Sequence, residues 1–251
     1  GSVPGTRPLS QTLCRAGAGA LTTAACSINF ASAGLVFSVP DGIANQPSNN
    51  ITVAAVREGD STEQCVPQFA NVSRNVNFWS NYINPDSAGR PVAMPVQVNG
   101  NNIGQTATST ALPLSFDGNG EALINVNYAD AGQMQLNARY TGSAANEDAG
   151  LVINGSDQFI RRPAGLCVQN SGHCTAANAS CPVFRRAGET FTLSISAHAW
   201  QEGSSDVCAN PVTPNFRQNN ITLNHSLVAP AGTGRNRPAH RAFCAGRLCC
   251  Q

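Results

Sequence analysis

Cysteine is the residue type of this sequence best suited to chemistry, because its ten copies could form disulfides or bind a metal. Six of them lie within the strand-forming part of the chain: Cys26, Cys65, Cys167, Cys174, Cys181 and Cys208. Structural zinc sites usually place about two to four residues between paired cysteines. Cys167, Cys174 and Cys181 follow one another at intervals of seven positions, and counting the neighbouring His173 as a ligand does not give the zinc spacing either. The spacing therefore favours disulfides, and we expect neither a metal nor a cofactor.

Disulfides are expected because ten cysteines are many for a chain kept in a reducing cytosol. Cys26 and Cys65 flank a strand–turn–strand unit, so we expect a bond between them; the alternative is two buried free thiols. Such a bond would add about 3–4 kcal/mol in the chain-entropy description. Four clustered cysteines allow about three connectivities. The pairing we favour there is Cys174–Cys181 with Cys167–Cys208.

Recognisable catalytic motifs are absent from the sequence. It contains no Gly-x-Ser-x-Gly elbow, no His-Glu-x-x-His, no phosphate-binding Walker loop and no dinucleotide fingerprint. A general base needs a partner that holds its geometry, and none of the four histidines has an evident one. We therefore expect no catalytic residues and a protein that is not an enzyme.

The best candidate for binding is the run Phe-Trp-Ser-Asn-Tyr at residues 78–82. Neighbouring residues of a strand point to opposite faces, so one of Phe78 and Trp79 should enter the core while the other faces outward. An exposed Trp79 with Asn81 and Tyr82 nearby would suit a sugar, because aromatic rings stack on apolar sugar faces while amides form hydrogen bonds. The alternative is that Trp79 covers an edge of the fold.

The elements that position these residues are expected to be strands. Between residues 121 and 128, apolar Ala122, Ile124 and Val126 alternate with other residues, which is the period of a half-buried strand. Asp-Gly-Asn-Gly at residues 117–120 predicts a hairpin turn, because Gly and Asn tolerate positive φ. Similar runs with regular turn signals predict an all-β, Ig-like antiparallel β-sandwich, and no amphipathic helix.

Four regions follow from this pattern. We expect an irregular lead-in over residues 1–25, an Ig-like sandwich over 26–161, a second β-rich unit with a Cys-rich insert over 162–230, and an irregular tail over 231–251. The second β-rich unit has about three clear strands where a sandwich needs about seven. We therefore expect an incomplete sandwich unit, or one that completes itself by packing on the first.

Composition excludes two classes of partner. The net charge of +1 and the absence of a basic stripe argue against nucleic-acid binding. No apolar run approaches the ~20 residues needed to span a bilayer, so we expect no membrane span.

One resemblance covers about four-fifths of the chain. Its segments include CSINFASAGLVFSVPD, VNFWSNYINP, YADAGQMQLNARYTG, RAGETFTLSISA and NITLNHSLVAP. In their order these resemble the C-terminal region of the MshQ-like proteins of MSHA pilus biogenesis, large surface proteins of Gram-negative bacteria. The resemblance implies export to the cell surface and pilus or other surface proteins as partners, with host or surface glycans as further candidates. We therefore expect a non-catalytic structural or adhesion module; the alternative is a carbohydrate-binding module that uses the Trp79 region.

Overall fold

The computed structural model describes residues 33–59, 65–86, 88–105, 108–170, 185–186, 188–224, 242–244 and 247–249. Within these ranges the chain forms strands and two short 3₁₀ turns, Ala144–Asn146 and Val207–Ala209. None of the helical segments described is long and apolar enough to cross a membrane. The expected all-β class is confirmed.

A large sheet holds the first eleven strands. They are β1 (Ala33–Val36), β2 (Gly42–Ile43), β3 (Ser48–Glu58), β4 (Cys65–Pro67), β5 (Val72–Asn84), β6 (Val96–Val98), β7 (Asn101–Asn102), β8 (Thr110–Phe116), β9 (Glu121–Tyr128), β10 (Gly132–Thr141) and β11 (Val152–Arg162). The strand order is β7-β6-β9-β3-β1-β11-β10-β5-β8, with β2 beside β11 and β4 beside β3. Pairing is antiparallel except where β1 and β2 meet β11.

The core lies between the two halves of this sheet. Alternate residues of β9, namely Ala122, Ile124, Val126 and Tyr128, are buried, as their period of two predicts. They belong to one hydrophobic cluster with inward residues of β3, β5, β8 and β10. Strands near both ends of the strand order, such as β6 and β8, contribute residues to this one cluster. The two halves of the sheet therefore lie face to face as a sandwich.

The hairpin between β8 and β9 is the turn that the sequence predicts. The Asp117 carboxylate accepts hydrogen bonds from the backbone nitrogens of Asn119 (2.8 Å) and Glu121 (2.9 Å). Gly120 has φ of +77°, and a Cβ there would lie 2.9 Å from the Phe69 carbonyl oxygen. Asp117 is therefore a turn residue, and glycine is required at position 120.

A second sheet follows the connection at residues 163–164. It consists of β12 (Gly165–Asn170), β13 (Thr192–His198), β14 (Ala242–Cys244) and β15 (Arg247–Cys249), in the order β12-β13-β15-β14. β14 and β15 lie in the tail that the sequence predicts to be irregular. The composition of the tail does not indicate these strands. β15 joins the sheet by pairing with β13, which lies more than fifty residues earlier in the chain.

Candidate ligand-binding face and the junction between the units

Strand β5 separates the core from the outer face of the sheet. Val76 and Phe78 are fully buried in the core, while Asn77 and Trp79 lie on the opposite face and are half-buried. The prediction that one of Phe78 and Trp79 enters the core is confirmed, and the residue that does so is Phe78. Trp79 is therefore placed to contact a ligand on the outer face with part of its indole ring.

Tyr82 does not join Trp79 on that face. It is three residues further along the strand, an odd spacing that turns its side chain toward the core, where it packs against the hydrophobic cluster. Its hydroxyl donates a hydrogen bond to the Met94 carbonyl oxygen, and the Arg90 guanidinium stacks on its ring. The expected patch of Trp79, Asn81 and Tyr82 is thus not assembled, and only Trp79 and Asn81 share the outer face.

A chain of amide side chains supports Trp79 instead. Gln133 Nε2 donates to Gln158 Oε1 (3.1 Å), and Gln135 Nε2 donates to Asn137 Oδ1 (2.8 Å). Asn137 Nδ2 in turn lies 3.4 Å from the Trp79 carbonyl oxygen. No sequence motif singles out these residues, although Gln133, Gln135 and Asn137 are the polar half of the alternation on β10. They fix the surface on which Trp79 lies.

A polar cleft opens on the same face, where β5 begins and β10 ends. Its volume is about 430 Å³. We call it the β5 cleft, and its lining residues are Ser73, Arg74, Asn75, Asn77, Tyr140, Thr141, Ser143 and Asn146.

Hydrogen bonds hold the floor of the β5 cleft. The Tyr140 hydroxyl donates to Asp148 Oδ2 (2.6 Å) and accepts from Asn146 Nδ2 (3.1 Å). The Ser143 backbone nitrogen donates to Asp148 Oδ1 (2.8 Å). Arg74 Nε lies 3.5 Å from Asp148 Oδ2, which makes an ion pair. The loop after β10 is therefore fastened to both neighbouring strands.

The charges of this floor compensate each other. Burial, reinforced by the hydrogen bond to Asp148, raises the pKa of Tyr140, so the phenol remains a donor. Burial opposes ionisation of Asp148, but the hydrogen bonds from Tyr140 and from the Ser143 backbone nitrogen, with the charge of Arg74, lower its pKa overall. Asp148 is thus ionised at neutral pH and balances Arg74.

The two units are joined by a second polar cluster. The Asn215 backbone nitrogen donates to the Asp130 carboxylate, whose Oδ1 also accepts from the Ala131 nitrogen at 2.7 Å. The Asn215 side chain pairs with the backbone of Val92, donating to its oxygen (2.7 Å) and accepting from its nitrogen (3.2 Å). Further along, the Trp200 nitrogen donates to the Ala44 oxygen (2.9 Å). Residues 200–215 therefore lie on the first sheet through backbone-directed bonds.

Asp130 is unusual within this junction. Its side chain and that of Asn215 are fully buried. Burial raises the pKa of Asp130, although the hydrogen bonds from Ala131 and Asn215 act in the opposite direction. Burial, together with the neighbouring Asp130 charge, also raises the pKa of Tyr128. The junction thus contains a carboxyl group for which the charged form is costly.

The Cys167–Cys208 disulfide is present, as predicted. It links β12 to the 3₁₀ turn at Val207–Ala209, with Cα atoms 5.1 Å apart. Cys174 and Cys181 lie outside the described residues, and so does Cys26. Cys65 is exposed and forms no disulfide with a described residue. Because Cys26 lies outside the described residues, the Cys26–Cys65 disulfide stays a prediction. Cys65 begins the short strand β4, which pairs with Glu58 of β3 through its backbone, so its place in the sheet does not depend on a disulfide.

His198 also has a structural position that the sequence does not reveal. It is buried, with Nδ1 2.7 Å from the Asn210 carbonyl oxygen and Nε2 2.8 Å from Ser196 Oγ. Both ring nitrogens are thus engaged, and the imidazole connects β13 to the segment after the second 3₁₀ turn. Within the described ranges, no three His, Cys, Asp or Glu side chains are grouped as a metal site would require.

Comparison with known families agrees with the two sheets. Residues 11–156 match the model described as domain of unknown function (DUF6701), first Ig-like domain, and residues 162–244 match the DUF6701 second domain. The expected Ig-like character of the first unit is therefore confirmed. Neither a curated protein nor a solved structure matches the chain significantly. Because the first model alone covers more than half of the 251 residues, the chain belongs to the DUF6701 family.

Proposed function

We propose that this chain is a non-catalytic structural and adhesive module of an MshQ-like surface protein, exported by a Gram-negative bacterium and associated with a type IV pilus. The resemblance of its segments to that family supports the location. A disulfide and a cysteine-rich sequence suit an oxidising compartment. Its partners would be pilus or other cell-surface proteins.

The observation that carries this proposal is the junction between the two units. Asn215 and Asp130 are fully buried and hydrogen-bonded across it, so separation of the units would expose polar groups that now satisfy each other. Two domains joined only by a linker are expected to move relative to one another. Here the contacts hold residues 200–215 against the first sheet, which suits a rigid spacer that presents a surface.

A direct test uses the natural producer of the full-length protein. Antibodies against this chain should label intact cells, and sheared pilus fractions should contain the protein. A strain lacking the gene provides the control for antibody specificity. Labelling only after the cells are permeabilised would overturn the proposal of surface display, and absence from the pilus fraction would overturn pilus association.

Carbohydrate binding through Trp79 is a second candidate function. It is favoured by the half-buried indole on an outer face whose amides are held in place by mutual hydrogen bonds. Such a surface combines an apolar ring with amide donors and acceptors, as sugar recognition requires. Loss of saccharide binding in Trp79→Ala, with the fold intact by circular dichroism, would support this candidate. Unchanged binding in that variant would overturn it.

A further inference from the structure

We propose that the β5 cleft is a binding site for a neutral, hydroxyl-rich ligand, a saccharide of one or two rings. This inference goes beyond the structural role. It shares only its ligand class with the second candidate function, and it places the binding groups at the cleft and not at the indole ring.

Unused polar groups at the rim are the first argument. The side chains of Ser73, Asn75, Asn77 and Thr141 line the cleft, and among the described residues none of them has a side-chain hydrogen-bond partner. The glutamines Gln133, Gln135 and Gln158 on the same face contrast with them, since they bond to one another. Each free amide supplies two donors and an acceptor, and each hydroxyl supplies both functions. This set matches the hydroxyl groups of a sugar ring.

The floor of the cleft supplies rigidity without net charge. Tyr140, Asn146 and Asp148 are held by mutual hydrogen bonds, so the loop needs no reorganisation to bind. The Arg74 guanidinium is balanced by the Asp148 carboxylate, 3.5 Å away. An anionic ligand would compete with Asp148 for Arg74, and a cationic one would compete with Arg74 for Asp148. The other lining residues are uncharged, so the cleft itself carries no net charge and suits an uncharged ligand. The exposed Arg139, opposite Asn77 on β10, lies outside the lining.

Size and surroundings agree with a small saccharide. The volume of about 430 Å³ lies within the range of roughly 300–1,000 Å³ that is typical of small-molecule sites. Trp79 follows Asn77 by two residues on the same face of β5, which places the residues about 7 Å apart along the strand. A second sugar ring that leaves the cleft in this direction would meet the indole.

The experiment is isothermal titration of the full chain with methyl glucoside, methyl mannoside, methyl galactoside, N-acetylglucosamine and maltose, with glucuronate as the charged counterpart of glucose. The variants are Asn77→Ala and Thr141→Ala at the rim, and Trp79→Ala outside it. Asn154→Ala is the matched control, because Asn154 is exposed on β11 of the same sheet face and lies outside the cleft. Thermal unfolding checks that each variant folds.

We expect at least one neutral saccharide to bind, glucuronate to bind more weakly than its neutral counterpart, and each rim variant to weaken binding about tenfold, as loss of a hydrogen bond predicts. Asn154→Ala should leave the affinity unchanged. Binding that Trp79→Ala abolishes and the rim variants do not affect would overturn this inference and leave the Trp79 candidate standing. Binding that the rim variants weaken and Trp79→Ala leaves unchanged would support this inference and overturn the Trp79 candidate. No binding by any saccharide would overturn both and leave the structural function untouched.

Discussion

Asp130 and Asn215 are 85 residues apart in the chain, yet each carboxylate oxygen of Asp130 lies 3.3 Å from the Asn215 backbone nitrogen. Both residues are fully buried, so this contact fastens the segment that follows β13 to the turn between β9 and β10. Among the described residues this buried carboxyl group accepts hydrogen bonds from backbone nitrogens alone, so its charged form is costly while its oxygens are needed as acceptors. Substitutions at position 130 can separate these two effects.

Replacement of Asp130 by Ala should destabilise the protein by about 1–3 kcal/mol, because the buried nitrogens of Ala131 and Asn215 lose their acceptor. Asp130→Asn keeps an acceptor oxygen and removes the charge, so its unfolding free energy should equal or exceed that of the wild type at neutral pH. Urea unfolding of the three proteins measures this order. A wild type more stable than Asp130→Asn by several kcal/mol would contradict a costly buried charge.

The same carboxyl group predicts a pH dependence. Its pKa is raised in the folded state, so between the ordinary and the raised pKa the folded protein holds a proton that the unfolded chain lacks. Relative to Asp130→Asn, the unfolding free energy of the wild type should therefore rise as the pH falls from about 7 toward about 4. Stability curves of both proteins across this range provide the measurement. A wild-type unfolding free energy that falls relative to that of Asp130→Asn on acidification would show that the sign is wrong.

The floor of the β5 cleft should depend on the Tyr140 hydroxyl. Tyr140→Phe removes the donor to Asp148 and the acceptor of Asn146, and a hydrogen bond to a charged partner contributes about 1.5–3 kcal/mol. Amide exchange in residues 143–148 should accelerate, while β9 should keep its protection. The control for local packing is Thr141→Val, which changes the exposed side chain of the next residue. Equal exchange in Tyr140→Phe and wild type would refute the role of this hydroxyl.

The Cys167–Cys208 disulfide should contribute about 4 kcal/mol, since it closes a loop with a sequence separation of 41 residues. The double variant Cys167→Ser/Cys208→Ser should unfold at lower temperature in calorimetry. Cys65→Ser is the control, because Cys65 is exposed and bonded to no described cysteine. If Cys65→Ser lowered the unfolding temperature as much as the double variant, the assignment of the structural disulfide would be wrong.

The sequence reveals the first sheet well because its signals are local. The alternation of Ala122, Ile124 and Val126 and the Asp-Gly-Asn-Gly turn depend only on neighbouring residues, and both are present in the structure. The same parity also places Phe78 and Trp79 on opposite faces. The same parity excludes Tyr82 from the Trp79 face, because the two residues are three positions apart and an odd spacing reverses the direction of a strand side chain.

The junction and the β5 cleft could not be predicted in this way. The Asp130–Asn215 contact joins distant segments, and no periodicity reports such a pairing. Strands β5 and β10 bring the cleft residues Asn77 and Thr141 to one place through their antiparallel register. In the sequence these residues are ordinary polar positions of two separate strands. β14 and β15 form a hairpin with each other, but β15 joins the second sheet through β13, which is remote in the sequence.

If the joined units act together as a surface module, pilus-dependent attachment of cells should require an intact junction. The chromosomal gene is replaced by wild type, Asn215→Ala, Asn154→Ala or a deletion, and the surface amount of each protein is measured by antibody labelling. Attachment should be lost in the deletion strain, fall with Asn215→Ala at equal surface amount, and stay normal with Asn154→Ala. Normal attachment of the deletion strain would contradict the role as a surface module.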